Sequence, residues 1–337
     1  MNRLLIISAM RGDDLSMFPI DDTTPDDVRL LHSVLSSQTG DRGVVNIKNC
    51  GTAMRFLTAY YAQKEGCSVV LEGTERMCHR PIGGLVDALM ELGADIRYLS
   101  REGFPPIRIE GRRLRQQKVE VVNPESTQFV SALMLIGADV STNIRSPYID
   151  MTRELIERRS RTADSSHLVE ADWSAAAFWY EYAALHGGTL LLEGLSEDSL
   201  QGDKIVSRIF EELGVETVYK TEGVEISRTG TAGRQLAVDF SCCPDLYPAV
   251  YATCARLGIE KHFSGLDSLP LKESNRLEAM KQTDGTAGMP ACGTTLSSFS
   301  DHRIAMALIC ADYNVDDTEC IAKSYPQFMQ QWRALHR

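Results

Sequence analysis

A self-similarity at an offset of 121 residues constrains this chain more than any single motif. Gly66 recurs as Gly187, Leu71-Glu72-Gly73 as Leu192-Glu193-Gly194, Glu91-Leu92-Gly93 as Glu212-Leu213-Gly214, and Tyr98 as Tyr219. Repetition at this spacing means that one supersecondary unit is copied, each copy with an apolar face that its neighbours must cover. Apolar periodicity and Leu-Gly helix stops predict the unit as a helix over 52–64, a strand over 68–71, a turn at Pro81, a helix over 82–92, and strands over 95–99 and 107–110. The second copy predicts the same order over 174–227. Partial copies begin near Asn2, Gln128, Asp245 and His302, where polar residues precede an apolar helix such as 129–136.

The expected architecture is α/β (α+β), with six units divided between two similar domains, 1–169 and 170–337, and 168–172 as a crossing strand and turn. If each half points its leading helix ends toward the other, six positive helix termini converge on an interdomain cleft. Two units read as abbreviated. Only 159–167 separate the helix ending near Arg158 from the next copy, and 282–300, rich in Thr, Gly and Ser, is similarly anomalous.

A chain of 337 residues with 43% apolar side chains can bury two such cores. The net charge of −11 excludes general affinity for nucleic acid or an anionic membrane, so an anionic ligand must be met by locally clustered cations. Nine cysteines without paired metal spacing fit reduced thiols in the cytoplasm, and no metal is expected. The short apolar run at 4–10 is followed at once by Arg11-Gly12-Asp13-Asp14, which predicts a folded helix rather than a signal peptide. No apolar run approaches the roughly 20 residues needed to cross a bilayer.

Local cations stand at the unit starts. Asn49-Cys50-Gly51-Thr52-Ala53-Met54-Arg55 opens an apolar helix: Gly51 lets the backbone approach a ligand, Thr52 is the expected N-cap, and Arg55 follows one turn later. Arg3, Arg80, Lys272, Arg276 and His302-Arg303 occupy comparable places. Any one of them taken singly reads more readily as a solvated surface charge. Their recurrence at equivalent positions suits a ligand bearing phosphate and carboxylate groups.

Taken in order, Asn49 to Arg55, Arg80-Pro81-Ile82-Gly83, Pro147-Tyr148-Ile149-Asp150, Lys272-Glu273-Ser274-Asn275-Arg276 and Asp301-His302-Arg303-Ile304-Ala305-Met306-Ala307 resemble the 5-enolpyruvylshikimate-3-phosphate (EPSP) synthase family. The likeness runs over 2–326. It implies two domains of three βαβαββ units each, with the active site in the interdomain cleft. It also implies transfer of the enolpyruvyl group of phosphoenolpyruvate to the 5-hydroxyl of shikimate 3-phosphate, with release of phosphate. That reaction belongs to the shikimate pathway, leading to chorismate and the aromatic amino acids. By the resemblance, Gly51, Arg80, Gln128, Lys272, Arg276, Arg303 and Lys323 would hold phosphoenolpyruvate. Arg3, Ser126, Thr127, Gln128, Tyr148, Asp245 and Lys272 would hold shikimate 3-phosphate.

The chemistry so implied needs a base for the attacking hydroxyl and an acid for the methylene carbon. The resemblance nominates Asp245 as base and Glu273 as acid, assisted by Lys272. The residues alone leave Asp245 as a helix cap after Pro244 and Glu273 as a first-turn carboxylate. No metal or organic cofactor is implied, and the expected form is a monomer in the cytoplasm. Gly51 leaves room for glyphosate, as in sensitive relatives. The family normally carries a Lys-Ser pair shortly before the position of Asn2-Arg3, which falls ahead of Met1. Cys50 stands for a usual alanine, Phe56 for a proline, Thr127 for a serine and Ser274-Asn275 for Thr-Asp; Arg145 and Ser268 also differ where shikimate 3-phosphate is touched. A non-catalytic binding homologue is therefore the alternative. A second is the UDP-N-acetylglucosamine enolpyruvyl transferase, whose loop cysteine Cys78 does not match in spacing.

Overall fold

The computed structural model describes residues 1–37, 41–161, 169–287 and 295–336, and the chain divides into two units, Met1–Val169 and Glu170–Arg337. The first unit runs α1 (Asn2–Arg11), α2 (Asp26–Ser36), β1 (Arg42–Asn46), α3 (Gly51–Gln63), β2 (Ser68–Glu72), α4 (Gly83–Glu91), β3 (Asp95–Tyr98) and β4 (Ile107–Glu110). It continues with β5 (Lys118–Val121), α5 (Thr127–Leu135), β6 (Asp139–Thr142) and α6 (Pro147–Arg161). β1 and β2 pair in parallel across α3, and β4 lies antiparallel between β2 and β3, giving the order β1-β2-β4-β3. Val69 and Leu71 of β2, with Ile107 and Ile109 of β4, are buried at alternate positions, which turns one sheet face onto the core. α3 is buried on nearly every face from Gly51 to Ala62, the pattern of a helix at the centre of a core rather than on its surface.

The second unit runs α7 (Trp173–His186), β7 (Thr189–Glu193), α8 (Val206–Glu211), β8 (Val215–Tyr219), β9 (Gly223–Arg228), β10 (Gln235–Asp239), α9 (Tyr247–Leu257), β11 (Glu260–Ser264), α10 (Arg276–Met280), β12 (Thr295–Leu296), α11 (His302–Cys310), β13 (Asn314–Val315) and α12 (Phe328–Leu335). β9 lies antiparallel between β7 and β8, while β10-β11 and β12-β13 are parallel pairs. α7, α9 and α11 occupy the core with Trp173, Phe178, Tyr180, Val250 and Met306. Trp179, Phe328 and Tyr325 form an aromatic group that seats α12 on α7.

The 121-residue offset carries α3 onto α7, β2 onto β7 and α4 onto α8. It breaks at the last hairpin, because the connection spans 99–106 in the first copy and only 220–222 in the second. The strand expected over 168–172 is not formed among the described residues 169–172. There the Ala171 N–H donates to the Gly194 carbonyl and Asp172 caps α7. The offset places the equivalent of β1 at 163–167, outside the described residues. Residues 42–110 carry all six elements of a βαβαββ unit. After α6 the next described element is α7, so the strand pair missing from the sequence there is missing among the described residues too. At the other abbreviated segment, Gln282 and Ser297 exchange reciprocal side-chain to main-chain hydrogen bonds of 2.8 and 3.0 Å, which ties its two sides together. Residues 288–294 of that segment lie outside the described set.

Candidate active site

Two groups of polar side chains collect at helix entrances, one in each unit. In the first unit the N-cap of α3 is Cys50, whose Sγ accepts from the Ala53 N–H at 3.2 Å, and not Thr52. The chain turns into the helix two residues earlier than a Thr52 cap would suggest, so Thr52 lies in the first turn with its hydroxyl placed to accept from Gln128 Nε2 at 3.0 Å. That bond ties the start of α5 to the start of α3. Ser126 caps α5, accepting from the Gln128 N–H at 3.3 Å, and Thr127 is its first residue.

Gly51 lies beneath two guanidinium groups. A Cβ built there would stand 2.3 Å from Arg80 Nη1 and 2.6 Å from Arg55 Nη1, so only glycine fits without moving them. Arg55 Nη1 donates to the Gly51 carbonyl at 2.9 Å. Burial, reinforced by the neighbouring Arg80 charge, pushes the Arg55 guanidinium down to about 9. The Nε atoms of both arginines are buried without a hydrogen-bond partner, and among the described residues no carboxylate pairs with either. Two like charges over a helix N-terminus, each with an unsatisfied donor and with only the more distant Glu125 carboxylate acting on Arg55, have the chemistry that suits an anion. Arg3 sits apart from this pair, its Nε donating to Thr152 Oγ1 at 2.7 Å and its Nη2 reaching the Tyr148 carbonyl at 3.5 Å. Burial pushes Arg3 down to about 10.

In the second unit every predicted residue falls into one connected cluster. Asp245, in a short helical turn before α9, faces Arg276 Nη1 at 2.8 Å, Lys272 Nζ at 3.3 Å and Arg303 Nη2 at 3.3 Å. Burial alone would raise its pKa, but Arg303, Lys272 and Arg276 outweigh it and hold Asp245 well below the usual carboxylate range. It caps no helix. Glu273 pairs with Lys323 and, at 2.9 Å, with His302 Nδ1. Against the upward effect of burial, His302 and Lys323 hold Glu273 well below its ordinary value as well. Burial lowers the pKa of Lys272 despite its pairing with Asp245.

Asp301 was legible in the sequence only as a helix-starting residue, and it does more. It caps α11 through the Arg303 N–H at 3.0 Å and grips Arg276 with both oxygens. Lys272, Arg276, Arg303 and Lys323 thus meet the carboxylates of Asp245, Glu273 and Asp301, an excess of cation in a chain of net charge −11. Arg55 and Asp301 lie within these two groups, although the resemblance nominated neither for binding. A concavity of about 820 Å³ lined by Lys204, Arg208, Glu211, Glu216 and Tyr219 shares none of these residues and is of mixed charge.

Comparison with known proteins agrees with this reading. A family model described as EPSP synthase (3-phosphoshikimate 1-carboxyvinyltransferase) matches residues 19–332. A protein of Bacteroides fragilis named 3-phosphoshikimate 1-carboxyvinyltransferase is 35% identical, the match covering 98% of this chain and 92% of that protein. A protein of Colwellia psychrerythraea with the same name is 29% identical over 84% of this chain and 77% of its own length. A solved EPSP synthase from Acinetobacter baumannii superposes with a TM-score of 0.61 at 22% identity, covering 87% of this chain and 78% of that one, and so shares the fold. The chain belongs to the EPSP synthase (3-phosphoshikimate 1-carboxyvinyltransferase) family.

Proposed function

We propose that this chain transfers the enolpyruvyl group of phosphoenolpyruvate to the 5-hydroxyl of shikimate 3-phosphate and releases inorganic phosphate. The observation that carries the reading is the partly buried Asp245 held among Lys272, Arg276 and Arg303, beside Glu273 held by Lys323 and His302. In the addition step, the hydroxyl oxygen bonds to C2 of phosphoenolpyruvate as its proton leaves to Asp245, while the C2=C3 π electrons take a proton from protonated Glu273 to make a methyl group, the same carboxylate taking a proton back in elimination. In elimination the methyl group returns a proton, the C2–O bond to phosphate breaks, and the enolpyruvyl ether remains.

In the unliganded protein both carboxylates are too acidic for these tasks, because the surrounding cations stabilise their charged forms. Phosphoenolpyruvate brings its own phosphate and carboxylate to Lys272, Arg276, Arg303 and Lys323. Sharing those cations with the substrate raises the proton affinity of Asp245 and Glu273 when the reacting atoms arrive. Gly51, Arg80 and Gln128 complete the phosphoenolpyruvate set. Arg3, Ser126, Thr127, Gln128 and Tyr148 bind shikimate 3-phosphate, with Asp245 and Lys272 on its 5-hydroxyl. The two units act as N-terminal and C-terminal enolpyruvyl transferase domains. The eight described cysteines form no disulfide, which fits the reducing cytoplasm; among the described residues no helix is long and apolar enough to cross a membrane.

The test is phosphate release by the purified chain supplied with both substrates. Release that requires both, together with formation of the enolpyruvyl ether, is the expected result. Binding of both substrates without release would replace the reading with that of a binding homologue.

A further inference from the structure

Two imidazoles and a carboxylate that share no residue with the catalytic cluster meet on the second unit. His186 ends α7, Asp312 lies in the turn after α11, and His336 follows α12. Nε2 of His186 and Nε2 of His336 each stand 3.7 Å from Oδ1 of Asp312, and one donor atom from each residue lies within 4.8 Å of the others. At 3.7 Å neither imidazole hydrogen-bonds that oxygen. The separation is instead close to the edge of a tetrahedron around an ion with bonds near 2.1 Å, about 3.4 Å. Two of the three donor separations are thus already near that edge.

The three side chains are also held in place. Asp312 takes a left-handed backbone conformation, φ 64°, and its N–H donates to the Ile309 carbonyl at 3.0 Å. The His336 ring stacks on Trp332 with centroids 4.0 Å apart, and the His186 ring lies 4.6 Å from that of Tyr182. His186 Nε2 is 2.8 Å from the Cys310 carbonyl oxygen, at the end of α11 where main-chain carbonyls lack helical partners. An ion taking that nitrogen would leave the carbonyl oxygen beside it.

We propose that His186, Asp312 and His336 form a binding site for a first-row divalent transition ion such as Zn2+, separate from the catalytic residues. Two nitrogen donors and one oxygen suit zinc, cobalt or nickel and disfavour magnesium or calcium, which take oxygen sets. Three protein ligands leave a fourth position to water. The ion would brace α7, the turn after α11 and α12 against one another, and the enolpyruvyl transfer proposed above needs no metal.

Titrating the metal-free full chain with Co2+ tests this directly. The expected result is a visible absorption band of a four-coordinate ion that saturates at a single equivalent, is displaced by Zn2+, and raises the thermal unfolding midpoint. His186→Ala and Asp312→Ala should each weaken the ion by about 100-fold or more, since loss of even an outer-shell partner costs up to that much. His336→Gln serves as a third variant, and circular dichroism confirms that each is folded. His262→Ala and Cys242→Ser should leave binding unchanged, and phosphate release should be the same in His186→Ala as in the parent chain. Affinity unaltered by all three ligand substitutions would overturn the site. So would competition of the ion with phosphoenolpyruvate and shikimate 3-phosphate, which would place it at Glu273, Asp301 and His302 instead.

Discussion

Arg276 and Asp301 form a two-pronged buried pair, Nε to Oδ2 at 2.9 Å and Nη2 to Oδ1 at 3.2 Å, while the remaining prong of Arg276 reaches Asp245 at 2.8 Å. Asp301 therefore positions the cation that faces the proposed base and caps α11 with the same carboxylate. Removing one partner of a buried pair leaves the other charged and unpaired. Asp301→Ala should destabilise the protein by about 3–5 kcal/mol and lose most of its turnover. Urea unfolding checks the first effect and phosphate release the second; an unchanged midpoint would contradict the role.

Gly51 sets the position of Arg80. The Cβ of Gly51→Ala would lie 2.3 Å from Arg80 Nη1, so that guanidinium has to move. Restoring ordinary van der Waals contact moves it by about 1 Å, a misplacement that costs on the order of 100-fold in kcat/KM for phosphoenolpyruvate. Arg80→Ala should weaken phosphoenolpyruvate far more than shikimate 3-phosphate. Calorimetric titration with each ligand separates the two, and equal losses would contradict the placement.

Lys272 lies partly buried beside Asp245, and desolvation lowers its pKa. Lys272→Ala should abolish phosphate release while leaving the circular dichroism spectrum intact. Full activity in this variant would remove Lys272 from the mechanism.

Glu181 lies wholly inside the second unit, midway along α7, with both carboxylate oxygens buried and unpartnered, and burial raises its pKa well above the ordinary value. The folded state disfavours the ionised form. Its contribution to stability is therefore fully present below the unfolded pKa and is lost as pH rises toward the folded one. Glu181→Gln should gain stability relative to the parent as pH rises from about 5 to about 8, with little difference near pH 4. Unfolding curves across that range check the slope, and parallel curves would refute it. Asp245 and Glu273 act in the opposite sense. Their folded pKa values are depressed, so their contributions are lost as pH falls below the carboxylate range.

The local order of elements was legible because it depends on neighbours in the chain. The helices over 51–63 and 83–91, the strands over 68–72 and 107–110, and the helix at 2–11 all follow from apolar spacing and from stops such as Leu92-Gly93. The misread cap at Thr52 was a matter of two residues, and Cys50 won because its sulfur reaches the Ala53 N–H. The shift after Tyr219 came from a shorter hairpin that no periodicity marks.

By itself the sequence determined which residue types stand at the helix entrances, and hence that this acidic chain must meet an anion with local cations. Only the tertiary structure decided how those cations are shared. Arg276 and Asp301 are 25 positions apart, and Glu273 and Lys323 are 50. Partners at such separations are chosen by the packing of α9, α10 and α11, not by the chain between them. The same packing excludes water, so each charge answers to its buried neighbours and departs from its ordinary pKa.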